Sequence, residues 1–309
     1  MLGFFVGVRL IELELLTESY TCRNRRKTKN MKYNWDKKGV SQYGIVNVSV
    51  ANLRLQPVYQ SELVNQLILG TIVPIFEEQN DFCYVQNWDS YFGWINKHAV
   101  IVGDRGMATK WQNAPHVIVV ENHGVVRKNR DWESEVVRDL VPCAILKRLE
   151  SNTKFTEVVL PDGKRGVVET NIVTDEKTWL KLKISKKSIV NAANKFLGIP
   201  YLWGGTSAKG FDCSGFVQTV FRLLNFELPR DAKKMAEIGK QIRVNKDFSN
   251  LEVGDLLFFG KTLQRITHVA ISLGKDLFMH SEGYVRVNNL DPGQPLFNEY
   301  RRKSFLKAR

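Results

Sequence analysis

The chain has 309 residues, 43% hydrophobic and 25% charged, a composition that suits several globular cores and excludes a fibre or a disordered polymer. Its formal net charge of +13 invites a polyanionic partner. Residues 1–40, however, hold nine basic against four acidic groups, and residues 301–309 hold five basic and none acidic, so the body between is close to balanced. Two basic tails account for the high pI, and no nucleic-acid partner is expected.

The opening stretch, MLGFFVGVRLIELELL, starts apolar, but Arg9, Glu12 and Glu14 interrupt it before a secretory core is complete, and no small-residue cleavage site follows. A membrane span needs about 20 apolar residues in a row, and none is found. The expectation is a cytoplasmic protein without a membrane partner. Residues 21–38 are polar and basic and patterned sequence begins near Ile45, so residues 1–40 read as an extension, with Met31 as a second candidate start. Cys22, Cys83, Cys143 and Cys213 are widely spaced and form no C-x-x-C pair, which points to neither a zinc site nor a disulfide framework.

An internal repeat comes next along the chain. QSELVNQLILGTIVPIFEE at 60–78 and ESEVVRDLVPCAILKRLES at 133–151 superimpose at an offset of 73 residues. The same offset carries Arg54 onto Arg127, Phe82 onto Phe155, Asp89 onto Asp162 and Gly93 onto Gly166 without a gap. Each copy alternates apolar and polar residues in short runs between turns such as Asn80-Asp81 and Pro161-Asp162-Gly163, the pattern of a small all-β barrel. Both copies resemble the bacterial SH3-like domain, through ANLRLQP and DSYFGWI in the first, and the second departs from it with Val167 in place of Trp94. The resemblance implies SH3-like domains over residues 41–103 and 104–178.

Beyond residue 175 the pattern changes. KKSIVNAANKFLG, residues 186–198, has helical spacing closed by Gly198 and Pro200, and a second helix is predicted from Cys213 to Leu224 with Phe216, Val217, Val220 and Phe221 on one stripe. DLLFFG, HVAISLG, DLFMHSEG and YVRVNNL then read as antiparallel strands, making residues 185–309 an α+β domain. The whole is multidomain.

A cysteine in the first turn of a helix meets unpaired N–H groups and the positive end of the helix dipole, which favour the thiolate. Gly204, Gly205 and Gly210 are expected to let the preceding loop approach a substrate closely, with the backbone N–H groups of Cys213 and Ser214 facing an oxyanion. Taken alone, such a cysteine is more often a buried small residue. Two downstream histidines reverse that reading. His268 and His280 fall on adjacent predicted strands, and a hairpin centred on Gly274 makes them cross-strand neighbours. A thiol, a base and an orienting group form a covalent-catalysis set, with Cys213 as nucleophile, His268 as general base and His280 fixing its tautomer. This chemistry requires no metal or organic cofactor.

The motifs G-x-P-Y-x-W-G-G, F-D-C-S-G-F, G-D-L-x-F-F and T-H-V-A-I resemble those of the NlpC-type family of papain-like cell-wall cysteine peptidases. That resemblance implies cleavage of the γ-D-glutamyl to diamino-acid bond of peptidoglycan stem peptides by Cys213, His268 and His280. The two SH3-like copies, with SELV, YFGW and LPRDA at 228–232, narrow it to the branch that acts on free stems with an unblocked N-terminal L-Ala, a recycling role for a monomer. Carried over residue by residue, Trp203 forms a groove wall, Asp212 and Ser214 line the site, and Asp231, Glu62 and Tyr91 meet the substrate's amine. Such carboxylates suit a buried ammonium and reject an acylated one. For Glu62 a part in the barrel itself is the competing reading, because Glu135 repeats it, and for Asp231 it is a helix N-cap. Alternatives for the whole chain are an exported endopeptidase acting on intact wall and a non-catalytic wall-peptide binder.

Overall fold

A computed structural model describes residues 34–309. Most of the expected extension, with Cys22 and Met31, lies outside the described residues. The chain is mostly β with a few helices.

The first unit contains β1 (Gln42–Val46), β2 (Val50–Arg54), β3 (Leu63–Ile68), β4 (Ile72–Gln79), β5 (Phe82–Gln86), β6 (Phe92–Asn96) and β7 (Val100–Asp104), in the order β3-β2-β6-β5-β4-β1-β7. After helix α1 (Arg105–Gln112) come β8 (His116–Val119), β9 (Gly124–Arg127), β10 (Val136–Leu140), β11 (Ile145–Ser151), β12 (Phe155–Val159), β13 (Arg165–Glu169) and β14 (Val173–Asp175). Their order, β10-β9-β13-β12-β11-β8-β14, is that of the first sheet strand for strand. Among the described residues no pairing joins β3 to β7 or β10 to β14, so the expected barrels take the form of two matching seven-stranded sheets.

The repeated residues hold the same bonds in both units. Nη1 of Arg54 donates to the Ser61 carbonyl at 2.6 Å, and Nη1 of Arg127 donates to the Ser134 carbonyl at 2.8 Å. Oδ1 of Asp89 accepts from the Tyr91 N–H and Oδ1 of Asp162 from the Lys164 N–H, each at 3.1 Å. The repeat therefore encodes loop geometry, in which a charged or Asx side chain satisfies backbone groups that have no strand partner.

One repeated position diverges for a packing reason. Gly70 and Cys143 lie 73 residues apart, both with left-handed backbone, φ 83° and 67°. A Cβ on Gly70 would stand 2.3 Å from the Ile145 carbonyl oxygen of the second unit. The Leu69 carbonyl accepts from the Ile145 N–H at 2.9 Å and the Trp111 indole of α1 donates to the Gly70 carbonyl at 3.0 Å, so this turn is pressed against the second unit and the helix that leads into it. The equivalent turn of the second unit presses into the third, where Cys143 is buried in the same core as Phe216 and Val217. There a small apolar side chain fills space, which offsets the cost of its unfavourable φ.

The third unit begins after α2 (Glu176–Trp179). Its first long helix, α3 (Lys186–Asn194), is closed at its start by a reciprocal pair of bonds between Ser185 and Ser188. A two-stranded turn, β15 (Thr206–Ser207) and β16 (Gly210–Phe211), leads into α4 (Cys213–Leu223), and α5 (Ala232–Met235) comes after it. An antiparallel sheet of order β20-β19-β18-β17-β21 completes the unit, from β17 (Val253–Thr262), β18 (Arg265–Gly274), β19 (Leu277–Glu282), β20 (Tyr284–Asn289) and, beyond α6 (Glu299–Ser304), β21 (Phe305–Ala308). Phe216, Val217, Val220 and Phe221 of α4 pack with Ile189 and Ala193 of α3 onto Phe258, Val269, Ile271 and Met279 of the sheet. Each such side chain contributes about 1.5–3 kcal/mol on burial, so this core fixes α4, and with it Cys213, over β18.

Candidate active site

Cys213 is the first residue of α4, and Asp212 is its N-cap, with Oδ1 accepting from the Gly215 N–H at 2.7 Å. The cysteine sulfur lies 4.0 Å from the Thr267 carbonyl oxygen. The backbone N–H groups of Val269 and Ser214 both favour its thiolate, so with the Thr267 carbonyl the thiol sits by the backbone on either side of His268. His268 Nε2 is 2.8 Å from His280 Nδ1, with both rings buried.

The route to this contact differs from the expected hairpin. Ile271 pairs with Met279 and Ser272 with Phe278, a register two residues beyond one that would set His268 opposite His280. The pairing is also irregular between Ser272 and Gly274, and the rings meet diagonally on one face, within reach of long side chains.

The electrostatics also depart from the expectation of a resting thiolate. Burial pushes the Cys213 thiol up to about 11, and the Asp212 carboxylate adds to it. The N–H groups of Val269 and Ser214 and the Arg230 guanidinium pull the other way without offsetting this. Burial also holds His268 well below the usual imidazole range, with the charges of Arg301 and His280 assisting, and brings His280 down to about 4. Desolvation therefore disfavours the charged form of each group, thiolate and imidazolium alike. A nucleophile arises by proton transfer to the imidazole during attack.

The glycines before Cys213 answer to protein neighbours rather than to a substrate. A Cβ on Gly204, whose φ is 76°, would lie 2.3 Å from the Leu63 carbonyl oxygen of β3. One on Gly205 would lie 2.3 Å from the Gly210 carbonyl oxygen, and one on Gly210 2.6 Å from the Leu202 side chain. The loop is thus clamped between the first unit and its own turn.

Behind the thiol lies a buried polar network that includes Arg230, a residue the sequence reading passed over although it stands inside LPRDA. Nη1 of Arg230 donates to Asp212 Oδ1 at 3.1 Å and to Ser214 Oγ at 2.8 Å, Nη2 pairs with Asp212 Oδ2, and Nε donates to Asn65 Oδ1 of β3 at 3.1 Å. Burial works against its charge, and Asp212 outweighs that, holding the guanidinium above its ordinary pKa. Asn65 Nδ2 in turn donates to Asp89 Oδ2 at 2.8 Å. Next on β3, Gln66 Oε1 accepts from the Thr206 N–H and the Ser207 hydroxyl, each at 2.9 Å. Asp212 and Ser214 are both buried and turned to Arg230.

The remaining predicted residues gather on the side of the first unit. Trp203, exposed, donates its indole N–H to Glu62 Oε1 at 2.7 Å. Burial, then the carboxylates of Asp231, Asp89 and Glu62, push the Tyr91 phenol up against the pull of Arg230. Asp231 occupies the N-cap of α5 but makes no side-chain capping bond, so its carboxylate is left to its neighbours and to Lys234 at 3.7 Å. Glu62 and Glu135 share only a backbone role, each carbonyl accepting from the strand across the loop, and their side chains go to Trp203 and Lys128 respectively. Tyr201, also unassigned from sequence, stands beside the thiol. Its phenol is pushed up to about 12, mainly by burial and then by Cys213 and Asp212.

With this geometry in view, comparison with known proteins is decisive. Residues 198–309 match the NlpC/P60 family and residues 49–101 the bacterial SH3 domain. The Dipeptidyl-peptidase 6 of Lysinibacillus sphaericus is 31% identical over 273 residues, covering 82% of this chain and 94% of that protein. The chain belongs to the NlpC/P60 family. It is a cysteine peptidase. The Gamma-D-glutamyl-L-lysine dipeptidyl-peptidase of Bacillus cereus is 28% identical, over 72% of this chain and 68% of that one. A crystal structure of an NlpC/P60 family protein from Bacillus cereus superimposes with a TM-score of 0.74 at 23% identity, over 86% of this chain and 98% of that one, which extends the likeness to the fold of the whole array.

Proposed function

We propose that this peptidase hydrolyses the bond between γ-D-Glu and the diamino acid of free peptidoglycan stem peptides whose N-terminal L-Ala is unblocked. Cys213 is the nucleophile, His268 the base and His280 its partner. As sulfur attacks the γ-carbonyl carbon, the thiol proton passes to His268, and N–H groups at the start of α4 stabilise the oxyanion. His268 then gives that proton to the departing amine of the diamino acid. Water attacks the thioester while His268 takes up its proton, and L-Ala-D-Glu leaves as the thiol re-forms.

The observation that carries the free-amine part is that the carboxylates of Asp231, from the third unit, and Glu62, from the first, both raise the Tyr91 phenol, Asp231 the more strongly. Both carboxylates lack a buried cationic partner and together suit a primary ammonium. The names of the relatives, a dipeptidyl-peptidase and a γ-D-glutamyl-L-lysine dipeptidyl-peptidase, favour the same substrate class. This reading carries with it two SH3-like barrels at 41–103 and 104–178, a peptidase domain at 185–309 and a cytoplasmic monomer that recycles wall peptides. The test compares L-Ala-γ-D-Glu-diamino acid with its N-acetyl derivative. Acylation leaves two carboxylates unpaired, so kcat/KM should fall at least about 100-fold, and Glu62→Gln should weaken that preference. Equal rates on both substrates would exclude the free-amine model in favour of an enzyme of intact wall.

A further inference from the structure

Hydrogen bonds of fixed polarity run beyond His280 and end on the backbone. The Arg301 N–H can only donate, and it donates to Asn298 Oδ1 at 3.0 Å, which makes the other end of that amide its Nδ2. Asn298 Nδ2 faces Asn288 Oδ1 at 3.3 Å. The Leu296 carbonyl can only accept, and it takes Asn288 Nδ2 at 3.0 Å. Two backbone groups therefore fix the Asn288 amide with its oxygen toward His280 Nε2, 2.8 Å away. An oxygen acceptor there requires a proton on His280 Nε2.

With both imidazoles neutral, that proton leaves His280 Nδ1 bare. The bare nitrogen accepts from His268 Nε2, 2.8 Å away, and so leaves His268 Nδ1 as the nitrogen with a free lone pair. We propose that Asn288 is a positioning residue for this reaction: it sets the tautomer of His280, and through it that of His268, so that the base is unprotonated on the nitrogen available to Cys213. The inference rests on the assignment of His268 as the base, but not on the identity of the peptide. Without the Asn288 acceptor the His280 proton is free to move to Nδ1. Two N–H groups would then confront each other unless His268 also moved its proton, onto the nitrogen that must be empty.

Two readouts free of any peptide test it. Long-range 15N–1H spectra of the full chain at pH 7 should show both histidines protonated on Nε2 and bare on Nδ1. The rate of Cys213 alkylation by iodoacetamide, followed by peptide mass spectrometry, reports proton removal by His268. Asn288→Leu should lose the single tautomer and slow alkylation by about 10- to 100-fold. Asn288→Asp, which keeps an acceptor, should retain the Nε2 tautomer and most of the rate. Its carboxylate would favour the protonated rings, moving the acid limb of the rate profile to higher pH. A wild-type His280 protonated on Nδ1, or an Asn288→Leu protein with unchanged tautomers and rate, would overturn the proposal. If stem peptides prove not to be substrates while the tautomers stand as described, only the substrate reading fails.

Discussion

Replacing Arg230 with Met removes one buried charge and leaves another. The pair with Asp212 is almost wholly dry, with side-chain exposures of 4% and 10%. Arg230 also bonds Ser214 and Asn65, so it ties the cap of the nucleophile helix to β3 of the first unit. Breaking a buried pair from one side costs about 3–5 kcal/mol, because the surviving charge keeps its desolvation penalty. Asp212 would retain its bonds from the Gly215 and Gly204 N–H groups, which places the expected loss near the lower end, about 3 kcal/mol. The assay is urea unfolding of full-length protein followed by tryptophan fluorescence, alongside kcat on the stem tripeptide. Activity should fall further than stability alone dictates, since displacing a reacting group by about 1 Å can cost 100-fold. The control is Asp212→Asn combined with Arg230→Met, which keeps an Asx cap and buries no charge. It should recover at least about 1 kcal/mol relative to Arg230→Met, within the coupling expected of residues in one network. An Arg230→Met protein within about 0.5 kcal/mol of wild type, the size of a surface change, would refute the reasoning. So would a double variant less stable than the single one.

The buried histidines predict acid sensitivity. Burial brings folded His280 down to about 4 from the ordinary imidazole value of 6.5, so the unfolded chain binds the extra proton between those values, and stability present at neutral pH is lost as pH falls through that window. Between pH 7 and 4.5 His280 alone should cost about 2 kcal/mol, with His268 acting in the same direction, and urea midpoints should flatten over this range in His280→Asn; an unchanged slope would contradict the burial argument. Gly70→Ala should destabilise by about 3 kcal/mol, from a strained φ and an overlap with the Ile145 carbonyl. Differential scanning calorimetry would detect it, and a neutral result would mean that the first two units do not meet at this turn.

Much of the array was legible in the sequence because its signals are local. The offset of 73 residues, the turn residues and the alternating strands follow from short-range backbone chemistry, and the two sheets repeat one strand order. The start of α4 was equally readable: Asp212 is a good N-cap, and the stripe from Phe216 to Phe221 has the period of a helix buried on one side. Cysteine at the first turn and two histidines on neighbouring strands were enough to nominate the site.

Sequence determined which groups are present, and the tertiary structure decided what their surroundings make of them. A helix start argues for a thiolate, but the packing that buries Cys213 beside Asp212 raises its pKa to about 11, and no local pattern reveals how much water a site excludes. Arg230 stands inside LPRDA, but its role, like that of Asn288, was hidden because their partners lie 18 and 8 residues away along the chain, with Asn65 as far as 165, and they meet only through docking and strand register. The glycine loop read as making room for a substrate, and in the fold Gly204 makes room for Leu63. Burial and long-range contact depend on how the units close on one another, and that closure decides the charge and tautomer of the groups the sequence supplied.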